Sequence, residues 1–386
     1  MPKPSEQRAS SAISQLPGAV YTPFDLAKAS RPVIALHVGD TWMEPFAGAR
    51  MEDLRERDFP GLHRYVETRG VPALVEAIVQ KVRERNRLAV TAANVVVTAG
   101  ATSGLSCAIS ALADPGEEVL LLAPFWPLIR GIVSSVRATP VEVPFFDRAH
   151  SIDAALAALD AKVSPKTVAL YFSNPSNPTG RVLAADWLEA LAAWARRRDV
   201  WLISDEVYED YVYAGEHVST ARFAPERTIT SFSFSKAYGM AGNRAGYLVG
   251  PEAAIAEAHK VSVHSAYHAP TAAQLAALRA LEGAASWVAN ARAAYAKAGA
   301  EVAAMLGVPP PAGGCFLFVD VAGRLDARGL QGFLEDALAA GVVVAPGSSA
   351  GAAYGTWVRL CFTVVSPDLA LEAARRLARL LGRGEA

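Results

Sequence analysis

An α/β fold, with a large and mostly parallel sheet covered by helices on both faces plus a smaller α+β unit, is what three features of this 386-residue chain predict. Short runs rich in β-branched residues recur through the middle of the sequence, amphipathic segments separate most of them, and the texture turns to alanine-rich helix after residue 270. Strands buried on both faces read as continuous apolar runs, which is the pattern of a parallel sheet sandwiched by helices.

In chain order, residues 1–30 read as an arm. MPKPSEQRASSAISQLPG carries prolines, serines and a glycine, so an extended or partly disordered start is expected; it has neither the apolar core of a signal peptide nor a membrane-length apolar span. VIALHVG (33–39) reads as a strand. NVVVTAG (94–100), EVLLLA (118–123), TVALYFS (167–173), VWLIS (200–204), TITSFSF (228–234) and GYLVG (246–250) supply the large sheet, with segments such as AADWLEALAAWARRR as covering helices. Residues 271–306 are helical until VPPPAGG breaks them. CFLFVDV, VVVAP and WVRLCFT then supply strands, with LQGFLEDALAAG and DLALEAARRLARLLG as helices. VIALHVG is expected to join this unit, because the two ends of a two-domain chain often pack together. The expected division is a small domain of 31–45 and 286–386 and a large domain of 46–285.

Composition narrows the function. Hydrophobic residues make up 52% of the chain and mean hydropathy is +0.20, enough for a large buried core. With 37 basic and 38 acidic side chains the net charge is -1, which gives no electrostatic footprint for nucleic acid or an anionic membrane and favours small neutral or zwitterionic partners. Cys107, Cys315 and Cys361 are odd in number and far apart, which suits buried thiols in a reducing compartment, and hence the cytoplasm.

Ligands of such sheets bind beyond the carboxyl ends of the strands, and four polar segments fall there. GATSG (100–104) opens a helix with small residues whose backbone N–H groups, with the Thr102 and Ser103 hydroxyls, suit a phosphate; neither the dinucleotide fingerprint nor a P-loop is present. NPSNPTGRV (174–182) holds two asparagines in a proline-locked turn, which suits a ligand oxygen or simply the turn. SDEVYEDY (204–211) places Asp205 at a strand end with Tyr208 three residues on. SFSFSKAYGMAGNRAG (231–246) sets Lys236 among small residues, with Arg244 eight positions later. An amine at the mouth of an apolar strand is paired, snorkelled to water, or kept neutral for chemistry. Together with an aromatic face at Trp126, this set suits pyridoxal 5′-phosphate, whose aldehyde condenses with an amine and whose ring nitrogen needs an anion beside it.

NPxNPTG, SDEVY, SxSKxxGxxGxRxG and a late VRLxF follow one another in an order that resembles the class I/II aminotransferases, fold type I pyridoxal-phosphate enzymes of the aspartate aminotransferase fold, from about residue 31 onward. The resemblance implies an enzyme moving an amino group between an L-amino acid and a 2-oxo acid, with Lys236 as the Schiff-base lysine and proton shuttle. It implies Asp205 on the pyridine nitrogen, Tyr208 and Asn177 on the ring's phenolic oxygen, and Trp126 stacked on the ring. Ala101, Thr102, Ser233, Ser235 and Arg244 match the phosphate cup. Tyr65 resembles the tyrosine that reaches the phosphate of the neighbouring subunit's cofactor, which implies a homodimer with shared sites. Arg359 resembles the arginine that forks the substrate α-carboxylate, with Gly39 closing that pocket and Asn177 beside it.

The sequence departs from the family pattern at GDTWMEPF, where an acidic turn is usual, so Trp42 and Met43 are candidates for filling space near the substrate side chain or packing between domains. No lysine stands at Thr102, where some dicarboxylate-specific relatives carry one, which favours an aromatic or aliphatic donor over an acidic one. A C–S lyase or other elimination enzyme on the same fold would share Lys236, Asp205 and Arg359. A non-catalytic ligand-sensing module would need a DNA-binding domain that the first thirty residues do not resemble. GSSAG (347–351) matches a nucleophile elbow around Ser349, but no helix pattern or later histidine follows it. His264 and His268 have the spacing of a zinc pair without a third ligand, so no metal is expected.

Overall fold

In a computed structural model, which describes residues 10–14, 16, 29 and 31–383, the α/β expectation holds. Among the described residues one sheet has seven strands: β2 (Val95–Thr98), β3 (Glu118–Ala123), β4 (Thr139–Pro144), β5 (Thr167–Ser173), β6 (Trp201–Asp205), β7 (Thr228–Ser233) and β8 (Gly246–Val249). Their order is β2-β8-β7-β6-β5-β3-β4, and β8 runs antiparallel to both of its neighbours while the remaining pairings are parallel. Alternation sends Leu120, Leu122, Leu170, Phe172 and Leu202 to one face, under the helix Ala185–Arg198. Val119, Leu121, Ala169, Tyr171 and Ile203 go to the other, under the helix Gly100–Leu112. Both faces are covered, which is why these strands read as unbroken apolar runs. The sequence reading lacked β4: TPVEVP carries two prolines and lies at the sheet edge, where a missing N–H is tolerated and the apolar signal is weak.

The chain ends build a second layer. β1 (Ile34–Ala35) pairs in parallel with β10 (Val342–Val343), and β9 (Phe316–Asp320), β11 (Ala345–Pro346) and β12 (Trp357–Cys361) form a three-stranded sheet with β12 in the middle. VVVAP, expected as one strand, is thus divided between two sheets at Val344. The 22-residue helix Ala285–Leu306 ends at Gly307, whose left-handed backbone (φ 61°) lets its N–H reach Ala303 O and Ala304 O. Tyr208 and Tyr211, carried from the end of β6, sit in the apolar core of this second layer with Tyr295, Phe316 and Phe362, so the two layers meet at the strand ends of the large sheet. The start of the N-terminal arm lies outside the described residues; of the remainder, Ser11–Ser14 form a helical turn.

Candidate active site

The sheet order brings distant motifs together. Because β8 reverses direction, the short connection 234–245 stays at the carboxyl end of β7 and places Lys236 and Arg244 on one edge; Phe234 N–H to Ala245 O (3.1 Å) closes it. Gly246 pairs with both Thr98 of β2 and Ser233 of β7, which draws the start of the helix Gly100–Leu112 alongside Arg244. Space there admits only glycine. A Cβ on Gly246 would lie 2.8 Å from Ala101 N, and one on Gly100, whose φ is +81°, would lie 2.4 Å from Arg244 Nη2. The guanidinium therefore lies against the helix N-terminus, and Arg244 Nη1 also donates to Ala241 O (2.7 Å).

Asp205 ends β6, and Asn177 lies four residues beyond β5. The two asparagines of NPSNP divide the work. Asn174 Oδ1 accepts from Leu183 N–H (2.8 Å) and fixes the turn, whereas Asn177 Oδ1 accepts from Arg359 Nη1 (3.1 Å). Arg359, central on β12 and 4% exposed, also donates from Nη2 to His37 O (2.8 Å) and lies 4.4 Å from the centre of the Phe316 ring. Lys236 Nζ donates to Gly39 O, and Tyr211 Oη donates to the Lys236 carbonyl (2.8 Å). A Cβ on Gly39 would lie 2.5 Å from Phe316 Cζ, so the backbone at 39 can approach only because no side chain intervenes.

These groups line one cavity of about 170 Å³. Twelve of the thirteen expected residues are in its wall: Gly39, Ala101, Thr102, Trp126, Asn177, Asp205, Tyr208, Ser233, Ser235, Lys236, Arg244 and Arg359. Tyr65 is not; it is 82% exposed and packs edge-on to Tyr267 (5.0 Å between ring centres). Trp42 and Met43 do not line the cavity either: Trp42 is 42% exposed and Met43 packs on the core of the second layer. Val38, Leu105, Val207, Ala241 and Phe316 complete the wall. Sequence reading missed these because an apolar residue facing a cavity and one facing a core look alike. Ser349 donates to Pro346 O (2.7 Å) from a 3-10 turn, and among the described residues no cluster of His, Cys, Asp or Glu could hold a metal ion.

Burial sets the electrostatics. Asp205 accepts from Tyr171 Oη at Oδ2 (2.9 Å), while Oδ1 is buried with no hydrogen-bond partner in the chain. Loss of solvent pushes its carboxyl up to about 7, against the Tyr171 hydrogen bond, the Val207 amide and the Lys236 charge, which favour the anion. Tyr208 is held well above the ordinary phenol range by burial and by Cys315, so it remains an O–H donor. His37 is lowered by burial and then by the Arg359 cation.

The model of aminotransferase classes I and II matches residues 31–377. The chain belongs to the class I and II aminotransferase family. The aspartate/prephenate aminotransferase of Thermus thermophilus is 36% identical over 342 residues, covering 84% of each chain. The arginine–pyruvate transaminase of Pseudomonas aeruginosa is 33% identical over 90% of this chain and 89% of its own. A Thermus thermophilus aspartate aminotransferase single mutant superposes with a TM-score of 0.88 at 31% identity, covering 97% of this chain and all of the other. This aminotransferase therefore uses pyridoxal phosphate and acts on amino acids and 2-oxo acids, and it has the aspartate aminotransferase fold. The cavity fits that cofactor: a buried carboxylate oxygen without a partner, an amine, and a glycine-walled cradle with an arginine stand within one space.

Proposed function

We propose that this aminotransferase takes aromatic or aliphatic amino donors in preference to acidic ones, and that the residues lining the cavity act as follows. The observation that carries the preference is the cavity wall. Its cations among the described residues are Lys236, Arg244 and Arg359, each with a separate task, and beside the polar groups assigned to the cofactor the wall carries Val38, Leu105, Trp126, Val207 and Phe316. An acidic side chain would find no further cation there, whereas an apolar one would be drawn from water at about 25 cal/mol per Å² of surface buried.

Pyridoxal phosphate, when bound, supplies an aldehyde that captures amines and a protonated ring that draws electrons from the carbon losing its proton. Lys236 Nζ would be the amine that anchors it and the base that moves the substrate's proton. Asp205 Oδ1 would hold a proton on the ring nitrogen, and Tyr208 Oη with Asn177 Nδ2 would donate to the ring oxygen. Trp126 would cover the ring face. The N–H groups of Ala101 and Thr102, the hydroxyls of Thr102, Ser233 and Ser235, and Arg244 would hold the phosphate. Arg359, pre-aimed by Asn177 and His37, receives the substrate α-carboxylate with two parallel N–H donors, and Gly39 closes that end. The large domain would span 46–285 and the small domain 31–45 and 286–386, with this site walled by residues of both.

We further propose a cytoplasmic homodimer in which Tyr65 completes the phosphate cup of the other subunit. The exposure of Tyr65 and of its neighbour Tyr267 supports this, since aromatic pairs on an open face mark contact surfaces. The three buried, unbridged cysteines fit a reducing compartment, and among the described residues no helix is long and apolar enough to cross a membrane. A donor panel run against pyruvate and 2-oxoglutarate tests the preference; higher kcat/KM for aspartate than for phenylalanine and leucine overturns it. Heterodimers of Tyr65→Ala and Arg359→Ala chains test the sharing. If each variant alone is impaired, one intact site and some activity return on mixing; verified heterodimers that regain nothing place Tyr65 in its own subunit.

A further inference from the structure

We propose that Tyr171 is a positioning residue for Asp205: its hydroxyl anchors Oδ2 so that Oδ1 is presented, charged, to the cofactor's ring nitrogen. The proposal rests on the role given to Asp205 above. Tyr171 pairs with Ile203, and Ser173 with Asp205, in the parallel register of β5 and β6. Alternation therefore puts Tyr171 and Asp205 on the same face, two residues apart in register along neighbouring strands, where a long aromatic side chain reaches the diagonal position.

Chemistry singles this tyrosine out. It is fully buried in an apolar cluster with Leu105, Leu121, Phe125 and Ile203, where phenylalanine would fill the same space without a polar atom to satisfy. A hydroxyl is costly to bury unless it is bonded, and the hydrogen bond that this one makes goes to Asp205 Oδ2. Asp205 thus has one oxygen tied from behind by a rigid ring and one oxygen, Oδ1, without a partner. A carboxylate held at one oxygen has a defined direction for the other.

The charged groups around Asp205 pull in opposite directions. Glu206, next in the chain and buried, favours the protonated acid, and Lys236 from the connection after β7 favours the anion; Tyr208, Arg244 and Arg359 line the same cavity. Burial is the largest influence and raises the carboxyl, and the Tyr171 bond is foremost among those that oppose it. Without the hydroxyl the carboxyl would be pushed higher still, and its orientation would no longer be fixed.

The test uses apoenzyme. Tyr171→Phe is expected to raise the Kd for pyridoxal phosphate roughly tenfold or more near pH 7, the loss of one hydrogen bond to a charged group, with the deficit shrinking towards pH 9. Isotope-edited infrared titration of the Asp205 carboxyl, assigned with Asp205→Asn, should show its midpoint moving to higher pH. Should Tyr171→Phe fail to fold, Tyr171→3-fluorotyrosine keeps the shape and the bond but sharpens the donor, and the Asp205 midpoint should then move to lower pH than in the native protein. A carboxyl midpoint that moves with neither variant overturns the proposal, even if cofactor binding changes, because the effect would then be one of packing. Asp205→Asn separates the two levels: if it binds cofactor as the native protein does, the reading of Asp205 itself fails; if it is impaired while Tyr171→Phe is not, only the role of Tyr171 fails.

Discussion

Replacing Arg359 tests the carboxylate fork most directly, because its geometry is already set by neighbours. Nη1 is tied to Asn177 Oδ1 at 3.1 Å and Nη2 to His37 O at 2.8 Å, over the Phe316 ring, in a setting only 4% exposed. Lysine would keep the charge but offers one ammonium where the fork offers two parallel donors. Arg359→Lys should lose one charge-assisted hydrogen bond, about 1.5–3 kcal/mol, or roughly 10- to 150-fold in kcat/KM for an amino-acid donor. Arg359→Ala leaves the substrate carboxylate unpaired in a buried site and should cost about 2–5 kcal/mol, roughly 30- to 5,000-fold. The assay compares each amino acid with the corresponding amine that lacks the α-carboxylate. Native enzyme should discriminate strongly between the two, Arg359→Lys less, and Arg359→Ala hardly at all. If Arg359→Ala slows the amine as much as the amino acid, the arginine supports the fold or the cofactor and does not read the carboxylate.

Three further outcomes are expected. Lys236→Ala should still bind pyridoxal phosphate through the phosphate cradle and Asp205 but lose the absorbance band of the lysine-linked cofactor and nearly all turnover; a normal band would identify another amine as the anchor. Gly100→Ala forces a side chain into a backbone at φ +81° and against Arg244, so it should destabilise the apoenzyme by about 1–3 kcal/mol, measured by denaturant unfolding, and weaken cofactor retention. Asp205, raised from 3.8 to about 7 in the fold, holds a proton there that the unfolded chain has already released. Apoenzyme stability should therefore fall as pH rises from about 4 to 7, and this slope should flatten in Asp205→Asn, whereas equal slopes in the two proteins would contradict the shift.

Much of the fold was readable in the chain because its dominant signal is local. EVLLLA and TVALYFS are strands over the ranges expected, since a strand buried on both faces needs apolar residues at every position. TPVEVP does not stand out in the sequence because an edge strand is released from that demand. The antiparallel course of β8 was also hidden, as GYLVG reads the same in either direction.

The site divides along the same line. Sequence alone determined which residue types stand at the strand ends, Lys236, Asp205, Asn177, Tyr208 and Arg359 among them, because each lies within a few residues of the strand or turn that presents it. Tertiary structure decided which of them meet. Arg359 reaches Asn177 across 182 positions only where the sheet of the chain ends packs against the strand ends of the large one. It also decided that Tyr65 stands outside its own chain's cavity. It showed, too, that Tyr171, one aromatic residue in an apolar run, has its hydroxyl on Asp205; a polar atom in a doubly buried strand must have a partner, but only the register of β5 against β6 says which. Local periodicity fixes what a segment is, whereas partners are chosen by pairing order and register, which depend on the whole chain at once.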